Sequence, residues 1–169
     1  MQEFKIENFS YIISFLLVVA IPLTLIVATE YMLTKKVSVN LFAFTLLLSV
    51  LIYVSLVVQI KSSKTILNEG RILIQSQFYN DEILLSDVQD ILLLPIGLPE
   101  GLSLKHRKNG IALLNYKTGL FTMNNGGDAF VQMLKPPFIV ISVKSKRNKY
   151  IISSSEVFYN KLLELNNDG

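Results

Sequence analysis

Two stretches without a charged residue decide the fold: NFSYIISFLLVVAIPLTLIVAT, which is Asn8–Thr29, and VSVNLFAFTLLLSVLIYVSLVVQI, which is Val37–Ile60. They are 22 and 24 residues long. At a helical rise of about 1.5 Å per residue, each exceeds the roughly 30 Å hydrocarbon thickness of a bilayer. The pattern predicts two membrane-spanning helices, at about residues 10–31 and 38–60, within an N-terminal segment of residues 1–62.

A cleaved signal peptide is the alternative interpretation of the first stretch. Its apolar part is much longer than the roughly 7–15 residues of a signal sequence, and the residues before it (Glu3, Lys5 and Glu7) are not clearly basic. A retained helix is therefore favoured. Pro22 lies near the middle of this helix and predicts a kink, because proline lacks the amide donor of a helical hydrogen bond.

The connection between the predicted spans, Met32–Ser38, is short and predicts an antiparallel hairpin with both chain ends on one side. The connection carries two basic residues, Lys35 and Lys36. The opposite side carries four: Lys5, Lys61, Lys64 and Arg71. Because basic loops stay in the cytoplasm, this excess predicts that the termini and the soluble domain are cytoplasmic.

The predicted spans contain hydroxyl groups but no ionisable residue. Transport pathways and proton relays usually require charged or ionisable side chains within the membrane. The pattern therefore favours a hairpin that anchors the chain or packs against other helices over a self-contained carrier.

From residue 63 onward the pattern changes to short β-branched runs. Ile139, Ile141 and Val143 alternate with other residues, which predicts a strand with one buried face. Turn residues separate the runs, for example Asn109-Gly110 and Asn125-Gly126-Gly127. The predicted strands are Arg71–Phe78, Glu82–Leu85, Val88–Leu94, Leu102–His106, Ala112–Tyr116, Gly119–Met123, Phe130–Met133, Phe138–Lys144 and Lys149–Ser153. Residues 63–169 are thus predicted to form a soluble, mainly-β domain, as an antiparallel sheet, sandwich or barrel.

The end of the chain predicts a helix instead. Ser153 is followed three residues later by Glu156, which is the spacing of a capping box. Phe158, Leu162 and Leu165 then fall on one helical face. We expect this amphipathic helix to pack over an open end or face of the sheet.

Composition excludes several classes of function. The chain has no cysteine, so disulfides and thiolate sites are excluded. Its one histidine, His106, lacks the neighbours for a transition-metal site, and no nucleophile, metalloprotease or nucleotide-binding motif is present. The net charge of +3 is too small to indicate a nucleic-acid binder. We therefore expect no enzyme activity, no cofactor and no metal.

Four segments carry a resemblance to a known family. They are Arg107-Lys108-Asn109-Gly110, Tyr116-Lys117-Thr118-Gly119-Leu120-Phe121, Asn125-Gly126-Gly127-Asp128-Ala129 and Tyr150-Ile151-Ile152-Ser153. Together they resemble the turns and strand cores of the bacterial pleckstrin-homology-like (PH-like) domain family, over about Gly70–Leu165. The family usually has tryptophan where this chain has Leu120, so the chain lacks an aromatic side chain at that position.

The resemblance implies a curved, seven-stranded antiparallel sheet or barrel capped by a C-terminal helix. Members of the family are often attached to transmembrane hairpins, and no catalytic residues come with it. It also implies a bacterial protein, so the membrane that the two spans cross would be the inner, or cell, membrane.

A basic cluster is the candidate contact site. Lys144, Lys146, Arg147 and Lys149 surround a predicted hairpin, and Lys105 and Arg107 would add to the cluster if both turns lie at the same end of the sheet. We expect a binding or assembly module that acts through protein partners or homo-oligomers. Two alternatives stay open: a sensor of anionic lipid that uses residues 144–149, and an accessory subunit of a membrane enzyme or transporter. A solvated hairpin tip is the interpretation without function.

Overall fold

The computed structural model describes residues 2–3, 8–68, 70–144 and 149–167, with side chains from residue 11 to residue 166 of these ranges. Contacts divide the chain into two units. One unit holds the helices up to Lys61, and the other holds the first strand together with the chain from Ser62 onward. The chain is thus an apolar helical unit followed by a mainly-β unit.

Two stretches of the first unit are long and apolar enough to cross a membrane: Tyr11–Thr34 and Val39–Ser62, each with a mean hydropathy of 2.7. Only 11% of the most apolar window in each is buried, whereas the core helix of a soluble protein would be mostly buried. Both predicted spans therefore coincide with candidate membrane-spanning helices, and the first candidate extends past Tyr31. The elements are α1 (Asn8–Phe15), a π-helical turn (Leu16–Ala20), α2 (Ile21–Thr34) and α3 (Val39–Ser62).

The irregularity expected from Pro22 lies just before it in the chain. Pro22 is in the first turn of α2, where its missing amide is tolerated. The preceding residues Leu16–Ala20 form the π-helical turn, and the Ile21 N–H donates to the Leu16 carbonyl, five residues earlier. Proline thus coincides with a change in the hydrogen-bonding register of the first span.

The two spans form the predicted antiparallel hairpin. Near its open end, the Tyr53 hydroxyl donates to the Tyr11 carbonyl (3.3 Å), and the Phe15 and Tyr53 rings pack edge to face with centroids 5.4 Å apart. At the connection, α2 ends where Lys35 adopts a left-handed conformation with φ 58°. The connection between the helices is therefore shorter than predicted, because α2 continues to Thr34.

The first sheet of the β unit contains four antiparallel strands in chain order. They are β1 (Gln2–Glu3), β2 (Lys64–Asn68), β3 (Arg71–Gln75) and β4 (Asp81–Leu84). Strand β1 precedes the helical hairpin and β2 follows it, and the two pair through Gln2 with Thr65 and Glu3 with Lys64. The chain segments on either side of the hairpin therefore join one sheet. The sequence pattern predicted neither β1 nor β2.

The second sheet contains six strands in the order β5-β9-β10-β8-β7-β6. Its strands are β5 (Val88–Leu94), β6 (Leu104–Leu113), β7 (Tyr116–Met123), β8 (Asp128–Met133), β9 (Phe138–Val143) and β10 (Lys149–Ser153). Strand β10 lies between β9 and β8, antiparallel to the first and parallel to the second. The mainly-β fold with a C-terminal helix is confirmed, but its strands form two sheets and outnumber the seven that the resemblance implies.

Both faces of the second sheet are covered in its centre. Ile139 and Ile141 are fully buried in a cluster with residues of the first sheet and the C-terminal helix. Val140, between them, is buried in a second cluster on the other face. The prediction of one buried face for this strand is therefore wrong. A near-continuous apolar run is typical of a strand that is buried on both sides.

Polar side chains connect the two sheets through the first cluster. Gln132, on β8, is fully buried; its Nε2 donates to the Gln75 carbonyl (2.9 Å), and its Oε1 accepts from the Thr65 hydroxyl (3.0 Å). The Tyr150 hydroxyl likewise donates to Asp81 Oδ2 (2.7 Å). Buried polar groups are stable only when they are hydrogen-bonded, so these bridges specify how the sheets face each other.

The predicted turn at Asn109-Gly110 is wrong. Both residues lie inside β6, and the chain reverses after Leu113 instead, where Leu114 has φ 51°. Gly110 is opposite Gly119 on β7. A Cβ at Gly110 would overlap the Thr118 carbonyl oxygen, so the glycine serves a close approach of two strands and not a turn.

The C-terminal helix, α4 (Glu156–Asn167), buries the predicted apolar face through Phe158 and Leu162. Its predicted cap is displaced by two residues, because the Phe158 N–H donates to the Ser155 hydroxyl (3.2 Å). Ser153 ends β10, and its hydroxyl accepts from the Leu134 amide (2.7 Å). Ser153 therefore ties β10 to the end of β8 and does not cap the helix.

Candidate binding surface

The predicted contact residues fall on different parts of the β unit. Lys105 and Arg107 are exposed on β6. Lys144 follows β9 and is exposed, and Lys149 begins β10 and is half-buried. Two further residues of the predicted cluster, Lys146 and Arg147, lie outside the described residues.

Strand register places part of this cluster at one end of the second sheet. Arg107 is opposite Phe121 on β7, Phe121 is opposite Ala129 on β8, and Ala129 is opposite Lys149 on β10. Three strand spacings separate Arg107 from Lys149, which is about 14 Å. The condition that the two basic segments share one end of the sheet is therefore met for these two residues.

Strand β6 forms one edge of the sheet. It pairs with β7 and with no other strand of the described residues. Five consecutive residues near its start, 105–109, have exposed side chains, and three of them are lysine or arginine. Two bulges interrupt the pairing, between Leu104 and His106 and between Arg107 and Asn109. A basic, bulged edge resists pairing with the like-charged edge of another copy, but its outer backbone groups stay accessible.

One cation of this edge is neutralised. Lys108 Nζ lies 2.6 Å from Asp128 Oδ2, and the Thr122 hydroxyl donates to Asp128 Oδ1 (3.1 Å). The hydrogen bond from Lys108 lowers the pKa of Asp128 below its ordinary value of 3.8, while desolvation opposes that shift and Thr122 adds to it. The remaining net charge of the edge therefore comes from Lys105 and Arg107.

Replacing Lys108 by methionine is expected to raise the pKa of Asp128 towards 3.8. Because the folded-state pKa is lowered, the pair stabilises the fold above the ordinary pKa of Asp and stops doing so as the pH falls through the folded-state value. The loss of stability in Lys108→Met should therefore be present at neutral pH and disappear in acid. Urea unfolding as a function of pH measures it, with Lys105→Met as control. An equal loss at neutral and acid pH would contradict this assignment.

Lys144 lines a cleft of about 580 Å³. Its Nζ is 3.4 Å from the Ser86 carbonyl oxygen, and Arg71, also at the cleft, pairs with Glu82 at 2.9 Å. The lining residues are Gly70, Arg71, Leu84, Leu85, Ser86, Val88, Lys144, Leu165 and Asn166. Lys144 thus belongs to this cleft and not to the β6 edge.

Metal chemistry finds no support at these positions. Within the described ranges, no group of three or more His, Cys, Asp or Glu side chains could hold a metal ion. His106 is exposed on β6 beside Lys105 and Arg107. The arrangement on β6 therefore offers positive charge and backbone hydrogen-bonding groups to a binding partner.

Glu30 is a residue that the sequence pattern missed. The prediction that no ionisable residue lies in the spans is wrong at this position, because residue 30 lies within the predicted first span of about residues 10–31 and within the observed stretch Tyr11–Thr34. Its Oε2 atom is buried and has no hydrogen-bond partner. If the helix is extended from Thr29 to the lysines of the connection, this carboxylate lies about one helical turn before the end of the helix.

Two packed sheets and a C-terminal helix, which follow two candidate membrane-spanning helices in the chain, define a protein with a PH-like domain. Residues 63–164 match the family model for the Bacterial PH domain, which is 102 of the 169 residues. The chain belongs to the bacterial PH domain family. No curated protein and no solved structure matches it.

Proposed function

We propose that the protein is a non-catalytic, membrane-anchored binding module whose PH-like domain binds a partner protein along the edge strand β6. The observation that supports this most directly is the unpaired outer edge of Leu104–Leu113. An extended segment of a partner can add to such an edge through main-chain hydrogen bonds. The ten residues of β6 exceed the length of an average strand, which is about 5–6 residues.

The positive charge of β6 favours a partner segment with acidic residues. Lys105 and Arg107 project from the edge without an ion pair among the described residues, while Lys108 is paired with Asp128. Like charges directly opposite each other destabilise paired strands, and opposite charges stabilise them. The segment that pairs with the start of β6 should therefore carry Asp or Glu.

The attachment of the domain favours a partner at the membrane. Only Ser63 separates the end of α3 from the start of β2. One residue of extended chain spans about 3.5 Å, so the domain has little freedom to leave the membrane surface. We propose that the spans cross the inner membrane of a bacterial cell and that the domain faces the cytoplasm, as the distribution of basic residues predicts.

A sensor of anionic lipid is the second candidate. The alignment of Arg107 with Lys149 at one end of the sheet favours it, because two cations about 14 Å apart could contact one leaflet together. The short connection at Ser63 is compatible with this function too. The two candidate functions are distinguished by whether β6 contacts a protein or a lipid in native membranes.

A photo-crosslinking benzoylphenylalanine placed at His106 tests both candidates in the full chain. We expect a covalent protein adduct in native membranes. The double change Lys105→Glu and Arg107→Glu should lower its yield at least about tenfold, because each reversal replaces a favourable contact of about 1 kcal/mol by an unfavourable one. The matched control reverses Lys161, which is exposed on α4, and should leave the yield unchanged.

The identity of the adduct decides between the candidates. A protein adduct that the β6 reversals remove supports the binding module, and a partner with spans of its own would make this chain an accessory subunit. Lipid adducts alone would replace the protein-binding proposal by the lipid sensor. A protein adduct insensitive to the β6 reversals would overturn both.

A further inference from the structure

Four large apolar side chains of the β unit are exposed and belong to neither core cluster. They are Ile96 (89% exposed), Val157 (78%), Phe78 (55%) and Leu114 (46%), the four most exposed of their kind among the described residues of this unit. A single exposed apolar side chain needs no explanation, whereas several at one place mark a binding surface. Their positions in the fold therefore decide whether they form such a surface.

Strand register brings several strand ends together at one end of the second sheet. Leu94, the last residue of β5, pairs with Phe138, and so does Ser153, the last residue of β10. Strand β10 is parallel to β8, and the last residue of β8, Met133, pairs with Lys117 near the start of β7. The ends of β5, β8 and β10 therefore lie at the same end of the sheet as the β6–β7 turn.

Three of the exposed apolar residues follow these strand ends directly. Ile96 comes two residues after β5, and Leu114 is in the β6–β7 turn. Val157 is in the first turn of α4, which begins shortly after β10. All three are therefore at this end of the β unit.

Phe78 reaches the same end through the first sheet. It lies in the turn between β3 and β4, and the last residue of β3, Gln75, pairs with Lys64 at the start of β2. Ser63, directly before β2, shares a buried hydrogen bond of 2.7 Å with the hydroxyl of Tyr116 at the start of β7. The four residues thus surround one end of the unit, and we call Phe78, Ile96, Leu114 and Val157 the apolar rim.

Leu114 occupies a position where the fold itself does not favour leucine. Its φ of 51° is in the left-handed region, and the turn between β6 and β7 has two residues, Leu114 and Asn115. Glycine, asparagine and aspartate are the usual residues at such a position. Since Leu114 also adds nothing to the core clusters, its side chain indicates a contact with something outside the β unit.

The apolar rim lies where the chain connects to the candidate spans. Only Ser63 separates the end of α3 from β2, and one extended residue covers about 3.5 Å. Glu3, the last residue of β1 before the helical unit, pairs with Lys64 at this same end. A bilayer crossed by the spans is therefore an apolar phase within reach of the rim.

The opposite end of the β unit is basic. Arg71 begins β3, Lys144 follows β9 and Lys149 begins β10, and strand register places all three at that end. A domain that rests on a bilayer by one end is expected to have this asymmetry, with apolar side chains towards the lipid.

We propose that the apolar rim inserts into the boundary between headgroups and acyl chains of the leaflet next to Ser63. Apolar side chains enter this boundary to a depth of about 5–10 Å. Asn80 and Asn115, which are exposed in the same turns as Phe78 and Leu114, remain in the headgroup layer. The lipid surface thus holds the β unit by its turns as well as by its connection to the spans.

This inference rests on the membrane anchoring in the proposed function and not on the partner of β6. Six strand residues, or about 20 Å, separate Arg107 from Leu113 at the rim end of β6. The insertion therefore keeps Arg107 and Lys149 away from the leaflet, which favours the partner protein over the lipid sensor. Loss of the adduct at His106 would leave the insertion unchanged.

Site-specific fluorescence of the purified full chain in lipid nanodiscs tests the insertion. The chain has no cysteine, so Leu114→Cys and Ile96→Cys each provide one site for a nitrobenzoxadiazole dye. A lipid with a nitroxide high on its acyl chain should quench these dyes at least about threefold more than a dye at Leu84→Cys, because quenching requires contact within the boundary layer. Leu84 is the matched control, since it is 42% exposed and ends β4 at the opposite end of the unit.

A second comparison tests whether the apolar side chains cause the insertion. Ile96→Asp combined with Val157→Asp places two charges on the rim and should lower the quenching at residue 114 at least about twofold. Both side chains are exposed, so the core stays intact. The control Leu165→Asp changes an exposed leucine near the end of α4 and should leave the quenching unchanged.

Equal quenching at residues 114 and 84 overturns the proposal. Quenching at residue 114 that the two aspartates leave unchanged also overturns it, because the short connection at Ser63 would then account for the proximity to lipid. A dye at residue 114 that is shielded from water but not quenched by lipid would place a second copy of the chain on the rim instead of the bilayer.

Discussion

Gly119→Val is expected to unfold the β unit or to lower its free energy of unfolding by at least about 3 kcal/mol. Gly119 has φ 106°, a conformation that residues with a Cβ rarely adopt, and such a residue costs about 1–3 kcal/mol there. A Cβ would also overlap the Asn109 carbonyl oxygen and the Gly110 Cα across the strand pair. Backbone atoms of a paired strand cannot move away without breaking the ladder, so the two costs add.

Urea unfolding of the full chain in detergent, followed by the β signal in circular dichroism, measures this loss. Gly97→Ala is the matched control, because nothing lies within 4 Å of a Cβ there and its φ is not in the left-handed region. The control should change stability by less than about 1 kcal/mol. Equal stability of Gly119→Val and the unaltered protein would show that β6 and β7 do not approach each other as described.

Gln132→Ala is expected to lower the free energy of unfolding by about 3 kcal/mol. The change removes the amide that connects β8 to Thr65 on β2 and to the Gln75 carbonyl on β3. The fully buried Thr65 hydroxyl and the carbonyl of the half-buried Gln75 are then left without this hydrogen-bond partner, and a cavity remains in place of the side chain. The same unfolding experiment measures the loss.

The matched control is Gln89→Ala, which truncates an exposed glutamine on β5 and should be nearly neutral. A second variant separates hydrogen bonding from packing. Thr65→Val combined with Gln132→Leu removes the hydroxyl and amide together and keeps most of the volume, so it should recover part of the loss. If Gln132→Ala behaves like Gln89→Ala, then Gln132 does not bridge the two sheets.

Strands with a clear local pattern could be predicted from the sequence. Val88–Leu94 and Lys149–Ser153 have the bounds that their apolar runs and flanking turn residues indicate. Asn109-Gly110 shows where this logic fails. A glycine permits a tight turn and also a close approach of two strands, and only the partner across the pair, Gly119, distinguishes them. The prediction that Ser153 caps the helix is wrong for a similar reason, because its hydroxyl accepts a hydrogen bond from the amide of Leu134, which is distant in the sequence.

The positions of the candidate contact residues on the domain could not be predicted from the sequence, because they depend on the order and register of the strands. Lys105, Arg107 and Lys149 were recognisable as basic residues, but their placement follows from the register of four strands. The order of strands in a sheet is a long-range property, and periodicity reports only on neighbours along the chain. Glu30 was a different kind of failure. It lies within the predicted bounds of the first span, but the charge-free stretch on which that span was based ends one residue earlier, at Thr29.

Strand β10 follows every other described strand in the chain, yet it occupies the middle of the six-stranded sheet. On one side of it lie β5 and β9, and on the other lie β8, β7 and β6. During synthesis these two groups have no shared ladder until Lys149–Ser153 has left the ribosome. Non-local pairing of this kind folds slowly, because loop closure precedes the contacts that reward it. The domain therefore completes this sheet only after Lys149–Ser153 has been synthesised, and both helical segments precede that point in the chain.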